Sequence, residues 1–168
     1  MDESGAHLGF TREYARIIGG ERIKFGVPYP RGHAYSLLSA VGLGNVKASL
    51  YGEWSVNGEI FLAFIEKCLV PNLKKGDIVI MDNVSFHKIA GATALIESVG
   101  ATVKYLPPYS PDFSPIENMW SKLKSVLKKY APRTPKAFNR AIRKAFESIS
   151  ADDLKGWFKH CGYDMPIL

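Results

Sequence analysis

Cysteines and long hydrophobic runs are scarce in this sequence. Its two cysteines, Cys68 and Cys161, lie 93 positions apart, and neither has a neighbour at metal-ligand spacing. We therefore expect free thiols in a reducing compartment. No apolar run approaches the roughly 20 residues that span a bilayer, and residues 1–5 lack the basic and apolar segments of a signal peptide. These absences predict a cytoplasmic protein without membrane contact.

Internal repeats and the common catalytic motifs are also missing. The sequence has no Walker loop, no glycine-rich dinucleotide turn, no zinc-protease motif and no Ser-His-Asp order, so nucleotide hydrolysis, dinucleotide binding, zinc proteolysis and serine hydrolysis have no support. What is present is a globular composition, with 46% hydrophobic and 23% charged residues. Such a chain of 168 residues can bury the core of one domain with a helical appendage.

The positive charge is concentrated in the C-terminal quarter. Residues 118–159 carry eleven Lys and Arg against three acids, a net charge of +8, whereas the rest of the chain carries eleven bases against thirteen acids, a net of −2. This asymmetry is typical of proteins that bind a polyanion such as nucleic acid. The alternative is a solvated helix face that carries Lys and Arg for solubility.

The hydrophobic pattern alternates between strand and helix periods along the chain. Turn residues and β-branched runs predict strands, and apolar stripes at helical spacing predict helices. The predicted strands are 23–27, 34–43, 46–51, 78–81 and 102–106; the predicted helices begin at Asn57, Lys88, Ile116, Thr134 and Ala151. We expect a mixed sheet flanked by helices, with a helical C-terminal tail.

Three carboxylates occupy special places in this pattern. Asp82 follows the buried strand 78–81, where α/β sheets present ligands; Asp2 lies near the first residue, and Glu117 lies in the first turn of the long helix. Each has an ordinary explanation, since Asp82 fits a turn and Glu117 complements the helix dipole. Together, carboxylates from separate segments are the expected ligands of Mg²⁺ or Mn²⁺. Two such ions clamp the attacking and leaving oxygens of a phosphoryl displacement.

Two sequence blocks carry a resemblance to a known family. Residues 81–88, read as MDNVSFHK, and residues 106–124, read as LPPYSPDFSPIENMWSKLK, resemble the signature blocks of insertion-sequence transposases of the mariner superfamily, the bacterial members with an Asp-Asp-Glu site. Glu117 follows Asp82 by 35 positions, which is typical of that superfamily. Residues 2–5 resemble the block with the first Asp, and residues 157–163 are similar to the family's C-terminal tail.

The resemblance implies a metal-dependent transposase that cuts DNA and joins it to a target. Residues 1–130 would form the ribonuclease-H-like catalytic domain and residues 131–168 a basic helical tail packed on it. Asp2, Asp82 and Glu117 would be the catalytic residues and would bind Mg²⁺ or Mn²⁺, with two ions expected. The implied partners are transposon ends, a target with a TA dinucleotide, and a second copy of the chain in a homodimer. The implied location is the bacterial cytoplasm at the nucleoid.

Further residues are candidates for contact with DNA. Asn83, His87 and Lys88 follow Asp82 and could touch the DNA backbone, although Asn83 also suits a turn and His87 a structural hydrogen bond. The basic candidates, whose contacts would position phosphates without reading sequence, are Lys122, Lys124, Lys128, Lys129, Arg140, Arg143 and Lys144. Trp120 falls on the apolar stripe of its helix, so we expect it in the core.

Two departures from the family pattern affect these expectations. Ser114 stands where most members have Asn, and we expect Ser114 to cap the helix in its place. Only Met1 precedes Asp2, so we expect a truncated first strand and expect the family's N-terminal helix-turn-helix region to be missing. The chain would then be a reading frame joined to an upstream frame product, or a truncated copy. The alternatives to an active transposase are a non-catalytic DNA-associating remnant and a ribonuclease-H-like nuclease of other purpose.

Overall fold

The computed structural model describes residues 1–12, 14, 18–20, 24, 26 and 33–163. The strand predicted over residues 23–27 therefore falls mainly outside the described residues. The structure begins with a strand over residues 2–7 that the hydrophobic pattern did not predict. From residue 34 onward the order of elements follows the predicted one: strands and helices alternate through the middle of the chain, and three helices follow one another at its C-terminal side.

Three antiparallel strands form the first sheet. β1 (Asp2–His7) pairs with β2 (Ala34–Val41), which pairs on its other side with β3 (Val46–Gly52). The hairpin predicted from the turn at residues 42–45 is thus confirmed. The register places Asp2, the first residue of β1, opposite Ser39 of β2.

Two parallel strands form the second sheet. β4 (Ile78–Met81) pairs with β5 (Thr102–Tyr105). The Met1 ammonium donates a hydrogen bond to the Ile80 carbonyl oxygen at 2.7 Å. The beginning of β1 therefore lies beside β4, which brings Asp2 to the end of the strand that Asp82 follows.

Local sequence signals set several helix ends. α1 (Gly58–Phe64) begins after Asn57, whose side chain accepts from the Ile60 amide, and continues as a π-helical turn through Leu69 and a 3₁₀ turn through Asn72. α2 (Ala90–Ser98) ends before Gly100, whose φ of +78° suits glycine. It begins two residues later than predicted, because Ile89 is extended and separates it from a 3₁₀ turn over Ser85–Lys88.

The remaining helices are α3 (Pro115–Tyr130), α4 (Pro135–Glu147) and α5 (Ala151–His160). The Thr134 hydroxyl caps α4, as predicted, and Ser150 with Asp153 forms a reciprocal capping box on α5. Ser114 makes no side-chain cap on α3, so that prediction was wrong; its carbonyl oxygen accepts from the Glu117 amide instead. No helix among the described residues is long and apolar enough to cross a membrane.

Neighbouring residues of β2 supply two hydrophobic cores. Leu38 packs with buried residues of α1, β4 and α2, whereas Leu37 packs with buried residues of α3 and α4. Alternate side chains of a strand point to opposite faces, so the sheet carries helices on both faces. This arrangement confirms the predicted α/β class. The assignment of residues 1–130 and 131–168 to a catalytic domain and a tail stays a prediction.

Candidate active site

The three predicted catalytic carboxylates face one cleft. A cavity of about 400 Å³ opens at the end of β4, and Asp2, Asp82 and Glu117 all line it. Its other wall is the proline-rich loop between β5 and α3. The cleft is completed by Met1, Asn83, Val84, Leu106, Pro107, Pro108, Tyr109, Ser110, Pro111 and Ser114.

Different backbone elements deliver the three carboxylates. Asp2 is the first residue of β1, Asp82 comes directly after the last residue of β4, and Glu117 lies in the first turn of α3. Pro115 occupies the start of α3, where its fixed φ suits a helix and its missing N–H costs nothing. The stiff loop before it sets where the first turn of α3 begins, and so places Glu117 at the cleft.

Asp2 is held in a largely buried environment beside a tryptophan. The indole Nε1 of Trp120 donates a hydrogen bond to Asp2 Oδ2 at 3.0 Å. Burial raises the pKa of Asp2 to about 6; hydrogen bonds from the Glu3 backbone and Trp120 lower it, while the charges of Glu3 and Glu117 raise it further. Trp120 is buried, as its position on the apolar stripe predicted. Its polar contact with the site gave no signal in the sequence.

Asp82 contacts a buried histidine. His87 Nδ1 lies 2.5 Å from Asp82 Oδ1, and His87 Nε2 lies 3.1 Å from Glu3 Oε2. The sequence left two roles open for His87, a structural hydrogen bond or contact with the DNA backbone. The His87 side chain is 0% exposed, so the structure favours the structural hydrogen bond. Burial alone would lower the pKa of His87, but the hydrogen bond to Glu3 and the charges of Asp82 and Glu3 outweigh it and raise that pKa.

The three carboxylates offer the oxygen ligands that a divalent cation prefers, but they stand too far apart to share one ion. Carboxylate oxygens are the ligands that Mg²⁺ and Mn²⁺ prefer, and Asp82 Oδ1 is buried without a hydrogen-bond donor in good geometry, although His87 Nδ1 lies close. Within the described part of the chain, no three His, Cys, Asp or Glu side chains stand close enough to hold one ion. The donor set and the shared cleft therefore fit a metal, and the carboxylates would have to move closer to share it.

The predicted DNA contacts divide into several surfaces. Asn83 is exposed at the cleft, and Lys88 is exposed on the turn before α2. On α3, Lys124 and Lys128 are half-buried and Lys129 is exposed, while the ammonium of Lys122 contacts the Asp153 carboxylate at 2.5 Å. The exposed cations that share one side of α4 are Arg140, Arg143 and Lys144.

Comparison with known proteins identifies a family and a shared fold. The family profile described as DDE superfamily endonuclease matches residues 1–138. No curated protein sequence matches the chain. Among solved structures, a pre-cleavage Mos1 transpososome has a TM-score of 0.78 at 14% identity, over 95% of this chain and 51% of that chain. The Mos1 mariner paired-end complex with Mn has a TM-score of 0.76 at 14% identity, with the same coverage.

A third solved structure has a similar fold and again matches over only half of its own length. The Mos1 strand transfer complex has a TM-score of 0.72 at 15% identity, over 95% of this chain and 50% of that chain. The present chain therefore spans about half the length of the solved chains that it matches. The likeness establishes that the fold is shared along nearly the whole chain.

Proposed function

Because this chain belongs to the DDE superfamily of endonucleases, we propose that it is the catalytic domain of a DNA transposase. The reaction would be cleavage of phosphodiester bonds at transposon ends, followed by transfer of the freed 3′-hydroxyl to target DNA. The observation that carries this proposal is that Asp2, Asp82 and Glu117, from three separate elements, face one cleft. The solved structures with this fold include a transposase strand transfer complex, which supports the same reaction class.

The metal site would use the three carboxylates of the cleft. Asp2, Asp82 and Glu117 would hold Mg²⁺ or Mn²⁺, and we propose two ions. Bound there, the ions would stabilise charge on the attacking and leaving oxygens. The chain's own contribution is to orient the carboxylates: Trp120 donates to Asp2, and His87 lies against Asp82.

DNA is the proposed partner, and the basic helices would bind its backbone. The exposed side of α4 presents Arg140, Arg143 and Lys144, which suit phosphates without reading base sequence. Solved structures with this fold include a Mos1 transposase paired-end complex with left transposon end. The same proposal includes a homodimer that bridges two transposon ends and a target with a TA dinucleotide. It also includes an upstream frame product that supplies end recognition, and a location at the bacterial nucleoid.

Nicking of supercoiled plasmid DNA in the presence of Mn²⁺ or Mg²⁺ tests the catalytic role. We expect the chain to nick DNA, and expect Asp82→Asn and Glu117→Gln to reduce the rate about 100-fold or more, the equivalent of about 2.7 kcal/mol of activation free energy. Glu97→Gln is the matched control, since Glu97 is exposed on α2 and does not line the cleft. If the unmodified chain binds DNA but does not nick it, the chain is the non-catalytic remnant instead. If Asp82→Asn nicks DNA at the unmodified rate, Asp82 does not belong to the catalytic site.

A further inference from the structure

His87 is a polar side chain sealed beneath the cleft. Its ring is fully buried and stacks on Phe61 with centroids 4.8 Å apart and an interplanar angle of 27°. Its backbone carbonyl oxygen accepts a hydrogen bond from the Tyr105 hydroxyl at 3.1 Å. A buried polar ring is costly unless its nitrogens are satisfied. Phe61 thus fixes one face of the ring, and Tyr105 fixes the backbone of His87. The two ring nitrogens are the atoms through which His87 makes polar side-chain contacts.

The two ring nitrogens join two carboxylates from different strands. Nε2 lies 3.1 Å from Glu3 Oε2 on β1. Nδ1 lies 2.5 Å from Asp82 Oδ1, after β4, and 3.4 Å from the backbone carbonyl oxygen of Asp82, which is its hydrogen-bond partner. Glu3 is the neighbour of Asp2 in sequence. The histidine therefore ties the strand that carries the first catalytic carboxylate to the strand end that carries the second.

This contact also determines which oxygen of Asp82 is available. The Asp82 side chain is 44% exposed, but its Oδ1 is buried against His87. Oδ2 is consequently the only carboxylate oxygen of Asp82 that can be reached from the cleft. Because Oδ1 packs against the fixed imidazole ring, rotation that would exchange the two carboxylate oxygens is hindered, and Oδ2 remains the exposed one.

We propose that Glu3 and His87 are a positioning pair for Asp82, an inference that rests on the proposed metal-dependent function. Glu3 orients the imidazole, and Nδ1, placed against both the backbone carbonyl oxygen and Oδ1 of Asp82, keeps that carboxylate turned so that Oδ2 presents to a divalent cation in the cleft. Partners of this kind, which contact a metal ligand from behind, commonly change metal affinity by about 10- to 100-fold when removed. A purely structural histidine would affect stability without this selective effect on the cation.

Two amide substitutions at one position separate the contacts. The amide nitrogen of Asn takes the place of Nδ1, which faces Asp82, whereas that of Gln takes the place of Nε2, which faces Glu3. We expect His87→Gln to weaken Mn²⁺ binding at least about tenfold, and His87→Asn to weaken it by about threefold or less. The readout is Mn²⁺ affinity of the full chain by electron paramagnetic resonance, with thermal unfolding measured on the same samples.

Glu3 is tested by its own pair of substitutions. Glu3→Gln keeps an oxygen that accepts from the imidazole, whereas Glu3→Ala removes it. We expect Mn²⁺ affinity to fall further in Glu3→Ala than in Glu3→Gln. Equal affinities in these two variants would remove Glu3 from the pair.

The surface pair of His33 and Glu53 supplies the matched control. His33 Nδ1 lies 2.8 Å from Glu53 Oε2, both side chains are exposed, and neither lines the cleft. His33→Gln and His33→Asn should leave Mn²⁺ affinity unchanged. If folded His87→Gln binds Mn²⁺ as the unmodified chain does, or if His87→Gln and His87→Asn lose affinity equally, the positioning role is overturned while the metal site stands. If the unmodified chain binds no Mn²⁺, the metal site falls and the positioning role falls with it.

Discussion

The indole of Trp120 reaches across 118 positions of sequence to donate a hydrogen bond to Asp2 at 3.0 Å. The helix that carries Trp120 also carries Glu117 one turn earlier. Trp120 is thus buried in the core on one face of α3, while its indole nitrogen donates to the Asp2 carboxylate at the cleft. The packing of α3 and the geometry of the site are therefore coupled.

Trp120→Phe should destabilise the chain in a pH-dependent way. The substitution keeps most of the aromatic packing but removes a hydrogen bond to a charged group, which is worth about 1.5–3 kcal/mol. That bond favours ionised Asp2, whose pKa is about 6. The loss in free energy of unfolding should therefore be largest at pH 8 and shrink as the pH falls through 6. Urea denaturation at several pH values measures this.

The control for that substitution is Trp157→Phe, because Trp157 is a half-buried residue at the edge of the same hydrophobic cluster. Its effect on unfolding should not vary between pH 5 and 8. An equal, pH-independent loss in both variants would mean that the indole of Trp120 contributes packing alone.

Asp153→Ala should remove an acid-sensitive part of the stability. Asp153 Oδ2 accepts from the Ser150 backbone and hydroxyl and contacts the Lys122 ammonium; Lys122 first, and Ser150 next, hold the pKa of Asp153 near 2. We expect a loss of about 1 kcal/mol at pH 7. A depressed pKa stabilises the fold above the unfolded-state value, so the difference between the two chains should vanish as the pH falls from about 4 to 2.

Asp152→Ala, at the neighbouring exposed position, tests whether loss of any acid in the first turn of α5 has this effect. It removes the same charge without breaking the capping box. The free energy of unfolding of both variants is measured by chemical denaturation between pH 7 and 2. The same pH dependence in both variants would contradict the role given to Asp153.

Charge reversal on α4 should flatten the salt dependence of DNA binding. We expect the chain to bind two unrelated duplexes with equal affinity, since phosphate contacts carry no sequence information. The logarithm of the binding constant should fall with the logarithm of salt by about 0.9 per phosphate contacted. Arg140→Glu, Arg143→Glu and Lys144→Glu together should reduce that slope, as measured by fluorescence anisotropy in a salt titration.

The comparison variant reverses three exposed lysines elsewhere: Lys67, Lys74 and Lys75. The change in net charge is the same, so any difference between the two triple variants reports location. A slope that survives reversal on α4 would show that this helix is a solvated surface and that DNA binds elsewhere.

Two glycines should respond oppositely to alanine. Gly100 has φ of +78°, and an added Cβ would lie 2.9 Å from Lys75 Cγ, so Gly100→Ala should cost about 1–2 kcal/mol of unfolding free energy. Gly156 lies within α5 with nothing within 4 Å of an added Cβ, and Gly156→Ala should add about 1 kcal/mol. Thermal unfolding of the pair checks both signs, and a destabilised Gly156→Ala would contradict the helix assignment there.

The amino-acid sequence alone determined several local features of the structure. Asn57 and Thr134 marked two helix starts, Gly100 marked a helix stop, and turn residues marked the β2–β3 hairpin, because caps and turns are interactions between residues a few positions apart. It also marked Asp82 and Glu117 as candidates by their places at a strand end and a helix start, and Asp2 through the family resemblance of residues 2–5. The start of α2 was misplaced because the extended Ile89 gives no signal in composition.

Only the tertiary structure decided what surrounds those carboxylates. Hydrophobic periodicity reported that Trp120 is buried, but it could not report that its polar edge meets Asp2; nor could it show that His87 lies between Asp82 and Glu3. Charge counting likewise grouped Lys122 with the DNA contacts, whereas folding places its ammonium against Asp153. These contacts join residues 31 to 118 positions apart, apart from the nearby pair of Asp82 and His87. Periodicity fixes the face on which a side chain lies, whereas its polar partner depends on how the β-strands and helices pack together.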